Sequence, residues 1–144
     1  MQTYRLLPVI LLLLSFVFTA CDKDDDTPPA PTKTDLLTSS TWKGVGVYYM
    51  NQDVSKIFAD NGYDIQKYSI KFDKSGNYTE TYDGQNTSGK WEFANNEQAL
   101  LLNRGTSDEF NLRLLKLDDK NLYIEYTFKD SDGTEYILEE RFVH

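Results

Sequence analysis

Asn121-Leu122-Tyr123-Ile124-Glu125-Tyr126-Thr127-Phe128-Lys129 is the stretch that decides the fold. Leu122, Ile124, Tyr126 and Phe128 alternate with Tyr123, Glu125, Thr127 and Lys129. A period of two means a strand with one face in a core and the other in water. Asp130-Ser131-Asp132-Gly133 follows, and then a second strand-like run reaches Val143. Gly and Asp accept the positive φ of tight turns, so the two runs read as a hairpin. Working outward, Phe110, Leu112 and Leu114 alternate with Asn111 and Arg113. Trp91 and Phe93 alternate with Lys90 and Glu92, and Tyr68, Ile70 and Phe72 with Ser69 and Lys71. Asp73-Lys74-Ser75-Gly76, Asp83-Gly84 and Asp118-Asp119-Lys120-Asn121 punctuate these runs.

Eight strands are expected, near 41–50, 66–73, 76–82, 88–94, 98–103, 109–117, 121–129 and 134–143. Short connections make them an antiparallel meander. The predicted fold class is all-β, an eight-stranded antiparallel up-and-down barrel, because closure leaves no bare strand edge. Residues 51–62 break the rhythm. Val54, Ile57 and Phe58 fall on one helical face, Asn51 or Asp53 would cap the start, and Asn61-Gly62 the end. This predicts one short helix between the first and second strands, lying across a mouth of the barrel.

Trp42, Tyr78, Trp91, Tyr126 and Phe128 would line an apolar pocket or fill the interior; a barrel of eight strands can be packed solid, and a filled interior is the favoured expectation. Glu80 shares a phase with Tyr78 and Tyr82, and Glu140 with Tyr136, Leu138 and Phe142. An inward carboxylate would need Arg113, Arg141 or a polar ligand beside it. A bulge that turns both acids outward is the favoured alternative.

The first twenty residues read as a cleavable leader. Arg5 precedes an apolar run from Leu6 to Phe18 interrupted by Pro8, and Thr19 and Ala20 close it. The run, about 15 residues, is shorter than the roughly 20 a spanning helix needs. Phe18-Thr19-Ala20-Cys21 resembles the lipobox of bacterial lipoproteins, and Cys21 is the single cysteine. The resemblance implies cleavage before Cys21 and lipid on its thiol. Lys23-Asp24-Asp25 beside it resembles the surface-export signal of Bacteroidota lipoproteins; the alternative is a solvated acidic spacer. Three prolines, Pro28, Pro29 and Pro31, make the stretch to Thr34 an extended linker. The expected organisation is leader 1–20, lipidated cysteine and linker 21–34, and barrel 35–144.

Leu37-Thr38-Ser39-Ser40-Thr41-Trp42, Phe72-Asp73-Lys74-Ser75-Gly76-Asn77-Tyr78, Ser88-Gly89-Lys90-Trp91-Glu92-Phe93, Leu100-Leu101-Leu102 and Leu114-Leu115-Lys116-Leu117-Asp118 follow in order. This succession resembles the lipocalin-like domains of Bacteroidota lipoproteins, with Ser40 where lipocalins carry Gly. The resemblance implies a non-catalytic barrel for a small apolar or amphipathic ligand. Ile57 and Phe58 would form its lid, and Trp42, Tyr78 and Trp91 part of its wall. A monomer is expected, and the leader, lipobox and acidic signal lead to the expectation of export by the Sec route and lipid anchoring at the outer membrane, facing the cell surface. A second reading is a structural or protein-interaction lipoprotein with a filled barrel, using Tyr48, Tyr49 and Tyr123.

Other chemistries find little support. The net charge of −8 argues against nucleic acid, whose phosphates attract a basic surface. The one histidine, His144, stands at the last position, where a frayed end would build no Ser-His-Asp site. No Cys/His cluster suggests zinc and no glycine-rich loop a phosphate. Asp130-Ser131-Asp132-Gly133 carries only the first third of a calcium loop and is expected to be a turn. No enzyme, metal or cofactor is expected.

Overall fold

The computed structural model describes residues 29–144, and Pro31–His144 form a compact unit. The leader, Cys21 and Lys23-Asp24-Asp25 lie outside the described residues. The elements are α1 (Lys33–Thr38), β1 (Thr41–Tyr49), β2 (Gln52–Asp53), α2 (Ser55–Asp60), a 3₁₀ turn (Ile65–Lys67), β3 (Tyr68–Phe72), β4 (Asn77–Tyr82), β5 (Gln85–Ala94), β6 (Ala99–Leu102), β7 (Phe110–Leu117), β8 (Asn121–Lys129) and β9 (Glu135–Val143).

From β3 to β9 each strand pairs antiparallel with the next, and β1 pairs with both β3 and β9. The seam runs from Lys43↔Val143 to Tyr49↔Leu138. Eight strands therefore close into the expected barrel, with β2 a stub outside it. The strand phases hold: Leu122 and Ile124 are buried on β8, Leu138, Glu140 and Phe142 on β9, and Ile70 and Phe72 on β3. The Gly133 turn is also a hairpin, with Asp130 N–H donating to Thr134 O at 2.8 Å.

Two elements differ from expectation. Met50 and Asn51 both have positive φ and form a two-residue turn of the kind that joins hairpin strands. Tyr48 and Tyr49 then pair with Asp53 and Gln52, so α2 starts only at Ser55. Asp53 Oδ1 accepts from Ser55 N and Oγ at 2.9 and 2.6 Å, and Gly62 at φ +95° closes the far end. The second difference is α1, which occupies Lys33 and Thr34 of the expected linker. Thr32 and Asp35 cap it reciprocally: Thr32 Oγ1 accepts from Asp35 N, and Asp35 Oδ2 from Thr32 N, each at 3.1 Å.

The two ends of the barrel are unlike. At one end α1 seals the interior: Leu37 is fully buried and its carbonyl accepts the Trp42 indole N–H at 2.8 Å. His144 is seated there rather than frayed, its ring edge-on to Trp42 at 4.5 Å. The turn after β3 shares that end, and Trp91 Nε1 donates to Asp73 O at 3.0 Å. At the opposite end stand α2, the Asp83-Gly84 turn, the loop between β6 and β7, and the turn between β8 and β9.

Candidate functional site

The barrel is not filled. A cavity of about 780 Å³ occupies the half toward α2. Its floor is built by Phe72, Leu100, Leu112, Leu122 and Phe142, all buried inward positions of the strands. Asn61, Thr87, Asp108 and Phe110 also border it and are solvent-exposed, which places the mouth between α2, the start of β5 and the loop before β7. The favoured expectation of a packed interior is thus overturned. The physical reason is that α1, Trp42 and Trp91 concentrate the bulk at one end.

Of the residues expected to bind a ligand, Tyr78 and Phe58 border this cavity. Trp42 and Trp91 do not; their indoles anchor α1 and the turn after β3 at the sealed end. Ile57 is 61% exposed and touches only a smaller neighbouring pocket of about 380 Å³, which also meets Tyr49, Val54 and Phe58. A helix of six residues has room for one inward side chain, and Phe58 is that residue. Its ring packs edge-on against Phe128 at 5.8 Å and Tyr63 at 6.3 Å.

The polar groups of the cavity are acids and tyrosines. Glu140 faces inward and is only 5% exposed, in the phase of Leu138 and Phe142. The bulges in the sheet fall in β1 and β7, and β9 runs in continuous register with β8, so the expected outward shift does not occur. Neither expected arginine comes inside. Arg113 pairs with Glu125, Nε to Oε1 at 2.7 Å, and Arg141 with Glu139, Nε to Oε1 at 2.6 Å, on the outer face. Glu140 Oε1 instead accepts the hydroxyls of Tyr63 at 2.9 Å and Tyr126 at 2.8 Å. Glu80 Oε2 accepts the Tyr68 hydroxyl at 2.8 Å. Asn103 Nδ2 donates to the Tyr78 hydroxyl at 2.9 Å.

Burial pushes the Glu140 carboxyl up; the two tyrosine bonds oppose that and the Glu80 charge adds to it. The hydroxyls of Tyr63, Tyr68 and Tyr126 are held well above the usual phenol range, first by burial and then by the nearby carboxylate. They stay protonated and donate. Among the described residues no Lys, Arg or His borders the cavity. Among the described residues no cluster of three His, Cys, Asp or Glu is disposed to hold a metal ion.

Strand phase marked Glu80 and Glu140 in the sequence, but nothing marked Tyr63. It lies between α2 and the 3₁₀ turn, where no periodicity exists to orient a side chain. The tyrosines expected to face a partner are half-buried and find internal contacts: the Arg141 guanidinium lies 3.7 Å from the Tyr48 ring centre and 4.9 Å from that of Tyr123, and Tyr49 packs on Tyr136 at 5.7 Å.

No family model matches the sequence, and no curated protein does. A DUF4847 family protein from Bacteroides vulgatus ATCC 8482 is similar in structure, with a TM-score of 0.55 at 13% identity, covering 78% of this chain and 97% of that one. At that identity the likeness carries the fold alone. Fold and site together define a class: a closed eight-stranded antiparallel barrel, sealed at one end, with an apolar internal cavity bearing acidic groups.

Proposed function

We propose that this protein is an exported, lipid-anchored barrel that binds a small apolar or amphipathic ligand in its interior without transforming it. The cavity of about 780 Å³ carries the reading. Its size falls in the range of roughly 300–1,000 Å³ typical of small-molecule sites, and apolar walls with few polar groups are the usual lining. The cavity favours this over the second reading of the sequence, a structural or protein-interaction lipoprotein with a filled barrel. The anchor rests on the leader and on Cys21, and two acyl chains or more would hold the chain stably at a bilayer.

Native mass spectrometry of the full chain purified from its own host is expected to show a retained small molecule. An empty protein that also fails to take up a fluorescent apolar probe would sink the binding reading. Cys21→Ala is expected to move the protein from the detergent phase to the aqueous phase; continued partitioning into detergent would remove the anchor. Replacing Lys23, Asp24 and Asp25 with Ala is expected to abolish cell-surface labelling, and unchanged labelling makes them a spacer.

A further inference from the structure

We propose that the cavity selects a ligand with an apolar body and a protonated amine head, seated between Glu140, Glu80 and the hydroxyls of Tyr63, Tyr68 and Tyr126. This rests on the binding reading above and names the class of ligand.

The argument begins with charge. Among the described residues three acidic side chains border the cavity, Glu80, Asp108 and Glu140, and no basic one does. Glu140 sits deepest in the protein, and a buried carboxylate is costly unless a cation or several donors compensate it. Its Oε1 receives both tyrosine hydroxyls, while Oε2 receives no hydrogen bond from the described residues. Glu80 lies near enough for its charge to disfavour ionisation of Glu140. The cavity therefore holds carboxylates that repel one another and have no cationic partner among the described residues. An anionic ligand would worsen that imbalance and a neutral one would leave it. A cation removes it.

The tyrosines add a second, independent preference. Each of the three hydroxyls spends its one donor on a carboxylate and keeps oxygen lone pairs that can only accept. An ammonium carries three N–H donors and no acceptor, so it matches those oxygens and Oε2 together. The Tyr63 ring lies 6.4 Å from Tyr68, and an ammonium beside such faces gains cation–π attraction. The floor of Leu100, Leu112 and Leu122 receives the apolar body.

Three ligands of one chain length separate the outcomes: octylamine, octanol and octanoate, titrated by calorimetry into the full chain carrying Cys21→Ala, so that no acyl chain competes. Octylamine is expected to bind about tenfold or more tighter than the other two, a preference of the size that one shielded charge pair supplies. Glu140→Gln, which preserves shape, is expected to erase the preference while leaving octanol unchanged. Glu80→Gln is expected to weaken it, and serves if Glu140→Gln does not fold. Octanol or octanoate binding as tightly as octylamine overturns the amine assignment and leaves the binding barrel intact. An amine preference undiminished in both variants also overturns it. No binding of any of the three overturns both readings.

Discussion

Gly89 faces Tyr78 across the β4–β5 ladder, and a Cβ on it would run into the Tyr78 ring and into Asn103 Oδ1. The same Asn103 accepts from Lys90 N at 3.0 Å and donates to the Tyr78 hydroxyl, so one small residue lets a loop side chain tie the cavity wall in place. Gly89→Ala is expected to cost about 1–3 kcal/mol, the range for overpacking, and to weaken apolar-probe uptake because Tyr78 must move. A denaturation midpoint and a probe titration check the two effects separately. Ser40 presents the opposite case. Its Oγ is buried without a hydrogen-bond partner among the described residues, at the position where the resembled family has Gly. Ser40→Ala is expected to be neutral or stabilising by up to about 1 kcal/mol, since the substitution removes an unpaired polar atom. A loss of stability would mean that the hydroxyl has a partner after all. At this scale the sequence exposed half of the site. Strand phase aimed Glu140 inward; the cost of a bare carboxylate argued for a bulge. The missing information was Tyr63, whose hydroxyl is delivered by a segment with no repeat to read.

Among the elements, the eight barrel strands were legible because β-alternation needs only a few residues to declare itself. The helices were less so. The face of Val54, Ile57 and Phe58 announced α2 but not its start at Ser55, while α1, under two turns long, presents too short a run for a 3.6-residue period, and prolines ahead of it gave it the look of linker. Its start signal was there in Thr32 and Asp35, with Asp in place of the Glu or Gln of the usual reciprocal cap. The division of labour between these helices explains the empty interior: α1 plugs, whereas α2 only leans. Phe58 is the one α2 ring that separates the main cavity from the smaller pocket, since both touch it. Phe58→Ala is expected to merge them, lengthening the longest alkyl chain accepted, at a cost of about 1–2 kcal/mol, less than for a fully buried ring. Binding measured across a series of alcohols of increasing length checks this. An unchanged length cutoff would show that Phe58 is not the partition.

At the scale of the whole molecule, two opposed sets of carboxyl groups shape stability against pH. Asp35, bonded by Lys74 and Thr32, and Asp73, bonded by Ser75 and Asn77, are each held down to about 2; Asp118 is lowered by the Lys120 N–H and the Asn121 amide. Lowered in the fold, these groups support it above the usual Asp value of 3.8, and that support drains as pH falls toward 2. They are exposed, so the acid limb is shallow and weakens further with salt. Glu140 has the opposite sign. Its folded value is raised, so the native state holds the proton more firmly than the unfolded chain. Stability from this group is greatest below the usual Glu value of 4.5 and declines as pH rises through the folded value. The groups that set its titration are Tyr63 before the 3₁₀ turn, Tyr126 on β8 and Glu80 on β4, while its register neighbours Val47 and Ile124 are apolar. A thermal melt from pH 2 to 8 is therefore expected to peak on the acid side of neutrality, with a descending limb that salt barely alters. In Glu140→Gln that limb should flatten and the acid limb should stay. Parallel descending limbs in the two proteins would show that the buried carboxyl does not govern stability above the usual Glu value, and would assign the decline to the repulsion of a chain with net charge −8, which salt relieves.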